Sequence, residues 1–162
     1  SIHAFVSSPI DYCKRLLNGL PGHLIKKLQR VQNTAARVVY KLQKFDHITP
    51  ALISLHWLPV RYRIQFKTLL LVFKGLHAMA PSYISDMLTK SSNIRYSLRS
   101  SNACTLNVPK FNHNSFGKRA FAVCGPMAWN DLPARIRSCD ELETFKRYLK
   151  THLFQKFVSE PM

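Results

Sequence analysis

The chain has 162 residues, and its 24 lysine and arginine side chains outnumber its eight acidic ones, so its formal net charge is +16. This length is enough for one domain or two small ones, whose core needs no disulfide or metal. No apolar run approaches the roughly 20 residues of a membrane-spanning helix, so the sequence predicts no membrane span. The charge favours a polyanionic partner, nucleic acid above all, over a basic surface that is merely solvated.

The residue types of common active sites are scattered. Metal-dependent nucleotidyl transfer needs clustered carboxylates, and the one adjacent acidic pair is Asp140-Glu141. The glycines form no phosphate-binding loop, no cysteines form a CxxC motif, and no histidines have HxxxH spacing. We therefore predict no metal site, cofactor, small-molecule ligand or catalytic residue, although a nucleophile assembled in space stays open. The separated cysteines also indicate reduced thiols and an intracellular protein.

Two helices are predicted at the start of the chain. The first begins at Ser8 and Pro9, which suit a cap and a first turn, and ends at Asn18-Gly19. The second runs from Pro21 to about Lys44, and its apolar residues recur at alternating spacings of four and three. This apolar stripe, predicted to face the core, consists of Leu24, Leu28, Val31, Ala35, Val38 and Leu42.

The same helix carries a second, basic stripe with the same rhythm. Its members are Lys27, Arg30, Thr34, Arg37, Lys41 and Lys44. The centres of the two stripes are about 120° apart, so the basic one is predicted to face solvent. Neighbouring cations without an intervening acid repel one another by about a few tenths of a kcal/mol per pair. A phosphate backbone along this edge would relieve the repulsion.

The segment Leu55 to Met79 is the most apolar of the chain, and we expect the other elements to pack around it. Pro59 suits the first helical position, where its missing N–H costs nothing. Apolar side chains cover most of the circumference, which indicates a buried helix. A narrow polar strip consists of Arg63, Lys67 and Lys74.

Short elements flank this central helix. Thr49 and Pro50 predict a cap and a short helix to about His56, and Trp57-Leu58-Pro59 predicts the corner that sets the angle between the basic helix and the central one. A further short helix is predicted from Pro81 to about Leu88. Alternating apolar residues then predict a small two-stranded hairpin near 94–108.

The last third of the chain is predicted to be helical again. One helix runs from Phe116 to Trp129, and Gly125-Pro126 should break or kink it. A short helix follows Leu132-Pro133, and a capping pair of Asp140 and Glu143 starts the last one. The inward residues of that last helix are Leu142, Phe145, Leu149, Leu153 and Phe157. These patterns predict a mainly α fold, a helical bundle around a buried central helix at about 59–79, with the small hairpin and a C-terminal helix.

Several runs of this sequence carry a family resemblance. The early ones are Phe5-Val6-Ser7-Ser8-Pro9-Ile10-Asp11-Tyr12-Cys13, Gly19-Leu20-Pro21 and Leu28-Gln29-Arg30-Val31-Gln32-Asn33. The later ones are Asp46-His47-Ile48-Thr49-Pro50, Leu55-His56-Trp57-Leu58-Pro59-Val60, Ala80-Pro81-Ser82-Tyr83, Gly125-Pro126 and Trp129-Asn130-Asp131-Leu132-Pro133. With a last stretch, from Phe145-Lys146 to Leu153-Phe154, the match extends over nearly the whole chain. The combination resembles the segment after the polymerase core in reverse transcriptases of non-LTR retrotransposons, the jockey-like and chicken-repeat-like lineages.

The resemblance implies a thumb-like helical region at residues 1–90 and a C-terminal extension at residues 91–162. In that family the polymerase fingers and palm, with their catalytic aspartates, lie upstream, as does an endonuclease. The parent protein would then be an RNA-directed DNA polymerase whose active site is not in this chain. The implied partners are an RNA template, a DNA primer and the upstream polymerase domain of the same polyprotein, in nucleus and cytoplasm and without a membrane.

Two hypotheses about function follow. In the first, this non-catalytic part holds template–primer nucleic acid by phosphate contacts. The predicted contact residues are Lys27, Arg30, Arg37, Lys41 and Lys44, with Arg61, Arg63 and Lys67 as a second row. In the second, the chain is a protein-interaction module that docks on the polymerase body or on a host factor. A decayed retroelement fragment is a further alternative.

Overall fold

Seven helices make up most of the described chain. The computed structural model describes residues 21–90, 104–110 and 120–159. In chain order the helices are α1 (Gly22–Tyr40), α2 (Thr49–Ser54), α3 (Val60–Leu76), α4 (Ser82–Asp86), α5 (Phe121–Asn130), α6 (Ala134–Arg137) and α7 (Leu142–Ser159). Strand pairing in these ranges is limited to one isolated antiparallel bridge between Lys90 and Leu106. The prediction of a mainly α fold is therefore confirmed.

The hairpin predicted near 94–108 is not confirmed. Its first strand lies outside the described residues, as does the helix predicted from Ser8 to Gly19. Leu106, from the second predicted strand, pairs with Lys90, and the Asn107 N–H donates to the Thr89 carbonyl at 2.8 Å. The described part of this segment is thus paired with the backbone that follows α4.

Helix α1 begins after Pro21, as predicted, but ends four residues before Lys44. Lys41 adopts the left-handed conformation with φ of 51°, and its N–H is directed to the Arg37 and Val38 carbonyls. The next N–H, of Leu42, donates to the Arg37 carbonyl at 3.0 Å. Such a cap satisfies the last carbonyls of the helix and turns the chain away from its axis. Lys44 therefore lies in the loop after α1.

The face of α1 that packs inward differs from the predicted one. Val31 and Val38, in the middle of the predicted stripe, are 55% and 65% exposed. Gln32 and Ala36 are buried instead, and Ile25 and Leu28 pack against the beginning of α3. Because the buried residue Gln32 is polar, a search for recurring apolar residues does not identify the row that faces inward.

Helix α3 is the long buried helix predicted at about 59–79, and its regular part runs from Val60 to Leu76. Pro59 directly precedes it, and the Pro59 carbonyl accepts the Arg63 N–H at 3.0 Å. Its buried apolar side chains are Val60, Tyr62, Ile64, Leu69, Val72 and Phe73. Met79 lies beyond the end of the helix and is exposed.

The sequence predicts a break or a kink at Gly125-Pro126, and the break is wrong, because α5 continues through both residues. Pro126 cannot donate a backbone hydrogen bond, which costs about 3 kcal/mol in a helix interior. Gly125 and Pro126 are buried, and a Cβ atom at Gly125 would lie 3.1 Å from Val72 Cγ2. The helix continues through the proline all the same, and this face of it packs closely on Val72 of α3.

Helix α7 follows its predicted pattern closely. Phe145, Leu149, Leu153 and Phe157 are all completely buried. Its start differs, because the Glu143 carboxylate accepts from Lys146 Nζ at 2.6 Å and forms no capping pair with Asp140. At α2 the cap is likewise displaced, since Ile48 rather than Thr49 occupies that position.

The chain divides into two compact units. The first comprises Ser1–Ile64 and His152–Met162, and the second comprises Gln65–Thr151. In the first unit, the Tyr62 ring lies 6.1 Å from the Phe157 ring, so the end of α7 packs on the beginning of α3. The predicted division at residue 90, which follows from the family resemblance, stays a prediction.

The core of the second unit is aromatic. Phe73 of α3 stacks on Phe145 of α7 with ring centroids 4.3 Å apart, and Trp129 of α5 lies 5.8 Å from Phe145. The Trp129 indole N–H donates to the Cys104 carbonyl at 2.8 Å, so its polar atom is satisfied although its side chain is buried. These contacts join three helices and the segment at 104–110.

Candidate nucleic-acid interface

One edge of α1 is cationic and open to solvent. Lys27 and Arg30 are exposed, as is Lys26, which lies one turn before Arg30. These side chains and Arg37 fall within about 100° on the helix. No acidic residue occurs from residue 21 to residue 45. We call Lys26, Lys27, Arg30 and Arg37 the basic edge. The sequence-based prediction missed Lys26, although a spacing of four residues connects it to Arg30.

Arg37 is the least accessible member of the basic edge. It is half-buried, and its Nη2 donates to the Asp46 carbonyl at 3.2 Å. Its Nε is buried and has no hydrogen-bond partner in the described part of the chain. Arg37 therefore fastens the loop that follows α1, and the more accessible cations are the better candidates for phosphate contacts.

The loop after α1 places the other two predicted cations. Lys41 is exposed at the cap, and Lys44 Nζ lies 5.6 Å from the ring centroid of Phe45. Phe45 is 90% exposed, so this end of the edge offers an aromatic face beside a cation, as surfaces that bind single strands do. Asp46 is the first acid here, and its carboxylate accepts the Gln43 N–H at 2.7 Å.

The predicted second row on α3 does not form one row. Arg61 is exposed and lies about 160° around the helix from Arg63, whereas Lys67 lies about 40° from Arg63. Arg63 is half-buried, and burial lowers the pKa of its guanidinium group. Arg61 and Arg63 belong to the first unit and Lys67 to the second. Of this row, only Arg61 is an exposed cation in the same unit as the basic edge.

Amide side chains fix α1 against the corner before α3. Gln32 is completely buried, and its Nε2 donates to the Leu58 carbonyl at 2.9 Å. Gln29 Oε1 accepts the Val60 N–H at 2.9 Å. Gln29 Nε2 in turn donates to Gln32 Oε1 at 3.0 Å and to Asn33 Oδ1 at 2.8 Å.

This amide network joins α1 to the corner at Trp57-Leu58-Pro59, and that this corner sets the angle between the two helices stays a prediction. The first N–H groups of a helix have no partner within it, and Gln29 supplies one for Val60 from a different helix. Hydrogen bonds are directional, so they hold α1 in one orientation about its own axis. The opposite side of α1, with the basic edge, consequently faces solvent. The sequence signal was two glutamines three residues apart beside apolar positions.

An apolar strip lies beside the basic edge. Val31 and Val38 fall within about 40° of Lys27 on the helix, and both are exposed. Val39 and Tyr40, in the last turn, are also exposed. Helix α1 therefore presents cations and apolar side chains next to each other. Val31 and Val38, which were predicted to face the core, belong to this exposed strip.

Other chemistry has little support in the described ranges. They contain no group of three histidine, cysteine or acidic residues that could hold a metal ion. None of their helices is both long and apolar enough to cross a membrane. Burial raises the pKa of the Cys124 and Cys139 thiols, the latter also because Asp140 is near, so both are weak nucleophiles at neutral pH.

Comparison of the chain with known protein families, with curated proteins and with solved structures finds no match in any of the three.

Proposed function

We propose that this chain binds nucleic acid through phosphate contacts along the basic edge of α1, as the thumb-like, non-catalytic C-terminal part of a non-LTR retrotransposon reverse transcriptase. The observation that carries the proposal is the exposed, acid-free row of Lys26, Lys27 and Arg30 on a helix whose opposite face is fixed by buried amides. The family resemblance of the sequence supplies the parent protein.

The physical argument concerns charge and orientation. A net charge of +16 attracts a polyanion, and neutralised phosphates release their counterions. Cations one helical turn apart are spaced by about 5.4 Å, so a rigid helix can offer several to one backbone. Such contacts position a duplex but carry no sequence information. This suits a part that must follow template and primer while an upstream polymerase domain performs the chemistry, in nucleus and cytoplasm.

Salt-dependent binding tests the proposal. Binding of a template–primer duplex is measured by fluorescence anisotropy at several salt concentrations, for the wild type and for Lys27→Glu/Arg30→Glu. The matched control is Lys90→Glu/Lys110→Glu, which makes the same change in net charge at exposed residues of the second unit.

We expect the α1 variant to lower the slope of log K against log salt by about 1.8, the value for two duplex phosphates, and the control to change it much less. If the wild type does not bind at low salt, or if both variants behave alike, the basic edge is not the interface.

The apolar strip favours a second candidate function, docking on the polymerase body of the same polyprotein. Val31 and Val38 lie exposed on one side of a helix that is well fixed on the other. The two valines are about two helical turns apart on one strip, and an exposed apolar strip beside cations is a surface on which a partner protein can pack. Val31→Ser/Val38→Ser should then weaken association with the separately expressed polymerase domain by tenfold or more and leave duplex binding unchanged. Unchanged association would rule out docking through this strip.

A further inference from the structure

A second cationic site surrounds Tyr148, on the solvent side of α7. The guanidinium carbon of Arg135, from α6, lies 5.6 Å from the centroid of the tyrosine ring, and that of Arg147 lies 5.5 Å from it. Both arginines are exposed and the ring is half-buried. Two arginines from different helices thus share one aromatic ring.

The two arginines have no carboxylate partner in the described part of the chain. Glu143, one turn before Arg147, is instead bound by Lys146. The two guanidinium carbons are at most about 11 Å apart, so both charges lie within reach of one short stretch of a polyanion. Lys150, one turn after Arg147, adds a third exposed cation.

The ring explains why the two like charges stay together. The face of a tyrosine attracts cations, and a guanidinium group that lies over it keeps its in-plane N–H donors for another partner. Because the ring is half-buried in the second unit, it also restricts the rotamers of both arginines. A pair held in place before binding loses less entropy when a ligand arrives. Each guanidinium group can donate two parallel hydrogen bonds to the oxygens of a phosphate.

We propose that Arg135 and Arg147, held on Tyr148, form a phosphate-binding site for the backbone of a nucleic-acid strand, separate from the basic edge of α1. The occupant we infer is a nucleic acid rather than an acidic peptide because the whole chain carries a net charge of +16, which attracts an extended polyanion with a charge on every unit. The site lies entirely in the second unit and shares no residue with the basic edge. It therefore stands whether or not the α1 interface does.

The test uses the full chain and a labelled single-stranded oligonucleotide, followed by fluorescence anisotropy at several salt concentrations. Arg135→Glu/Arg147→Glu is compared with the charge-matched control Lys90→Glu/Lys110→Glu. We expect the arginine variant to lose about tenfold in affinity and its slope of log K against log salt to become shallower by about 1.4, the value for two single-strand phosphates. The control should change both values much less. Circular dichroism checks that each variant is folded, and if the first is not, Arg135→Gln/Arg147→Gln replaces it, with Lys90→Gln/Lys110→Gln as the charge-matched control.

The platform role of the ring has its own variants. Tyr148→Phe keeps the aromatic face and should bind like the wild type, whereas Tyr148→Leu removes it and should weaken binding several-fold. Equal effects of the arginine and control variants, or none in either, would overturn the site. Wild-type affinity in Tyr148→Leu would overturn the platform role. If polyglutamate binds the wild type more tightly than an oligonucleotide of equal charge does, and only polyglutamate loses affinity in the arginine variant, the site is one for acidic protein segments and the proposal is wrong.

Discussion

Within each of the two units, a different kind of contact holds the helices in place. In the first, α1 is joined to the corner before α3 by a network of amide hydrogen bonds around the buried Gln32. In the second, α3, α5 and α7 meet in a stack of three aromatic rings, those of Phe73, Phe145 and Trp129. The first unit depends on the direction of its hydrogen bonds, and the second depends on the apolar area that its aromatic rings bury.

The difference assigns different tasks to the two kinds of contact. An intramolecular hydrogen bond adds only about 1 kcal/mol of net stability, but its geometry is strict. A buried aromatic ring contributes much more, with weaker demands on angle. The amides of the first unit therefore contribute chiefly orientation, which the basic edge of α1 needs, while the aromatic rings of the second contribute chiefly stability.

The largest effect is expected from removing the central ring of the aromatic stack. Phe145→Ala should destabilise the second unit by about 3–5 kcal/mol, because it leaves a cavity and removes the contacts of Phe145 with the rings of Phe73 and Trp129. Urea unfolding is followed by Trp129 fluorescence in a Trp57→Phe background. Phe45→Ala, at an exposed ring, is the control and should change the unfolding free energy very little. A loss below about 1 kcal/mol for Phe145→Ala would mean that the stack does not hold this unit together.

A smaller effect is expected from the buried amide. Gln32→Leu keeps the side-chain size but leaves the Leu58 carbonyl without its donor, which should cost about 1–3 kcal/mol. Trp57 fluorescence in a Trp129→Phe background reports on this unit. Gln155→Leu, at an exposed position of α7, serves as the control. If Gln32→Leu stabilised the chain, apolar packing could replace the amide, and the first unit would not depend on these hydrogen bonds.

The smallest effects separate two glycines. A Cβ atom at Gly75 would lie 2.7 Å from Leu88 Cδ1 and 3.2 Å from Ile84 Cγ2, whereas at Gly22 nothing lies within 4 Å. Gly75→Ala should therefore destabilise the chain by about 1 kcal/mol through overpacking. Gly22→Ala should stabilise it by about 0.5 kcal/mol, because alanine restricts the unfolded chain. Thermal melts compare the two, and equal shifts would show that α3 and α4 are packed less closely there.

How far the sequence predicted the fold depended on what each helix buries. The inward face of α7 was predicted correctly because it is wholly apolar, with Phe145, Leu149, Leu153 and Phe157 at helical spacing. The inward face of α1 was misplaced because a glutamine occupies its centre. The predicted break at Gly125-Pro126 was wrong because local propensity cannot anticipate how closely α5 packs on α3.

The candidate site was predictable in part, for related reasons. Helical spacing correctly identified Lys27 and Arg30 as exposed cations on one edge. It could not foresee that Arg37 would bind the Asp46 carbonyl or that Lys41 would end the helix, because both depend on the path of the following loop. The arginines on Tyr148 were harder still, since Arg135 reaches the ring from another helix and only Arg147 is its neighbour in sequence.

One side chain constrains how this sequence can drift. Asn130 Nδ2 donates to the Leu106 carbonyl at 2.8 Å and its Oδ1 accepts the Leu106 N–H at 2.9 Å, so a single amide pairs both backbone groups of a distant residue. Aspartate would keep the acceptor and lose the donor, leucine would lose both, and glutamine would move the amide outward by one methylene. Few other side chains could therefore make both hydrogen bonds to Leu106. The dipeptide Trp129-Asn130, both of whose side chains bind backbone near residue 105, therefore fixes the segment at 104–110 on α5 by direction as well as by burial.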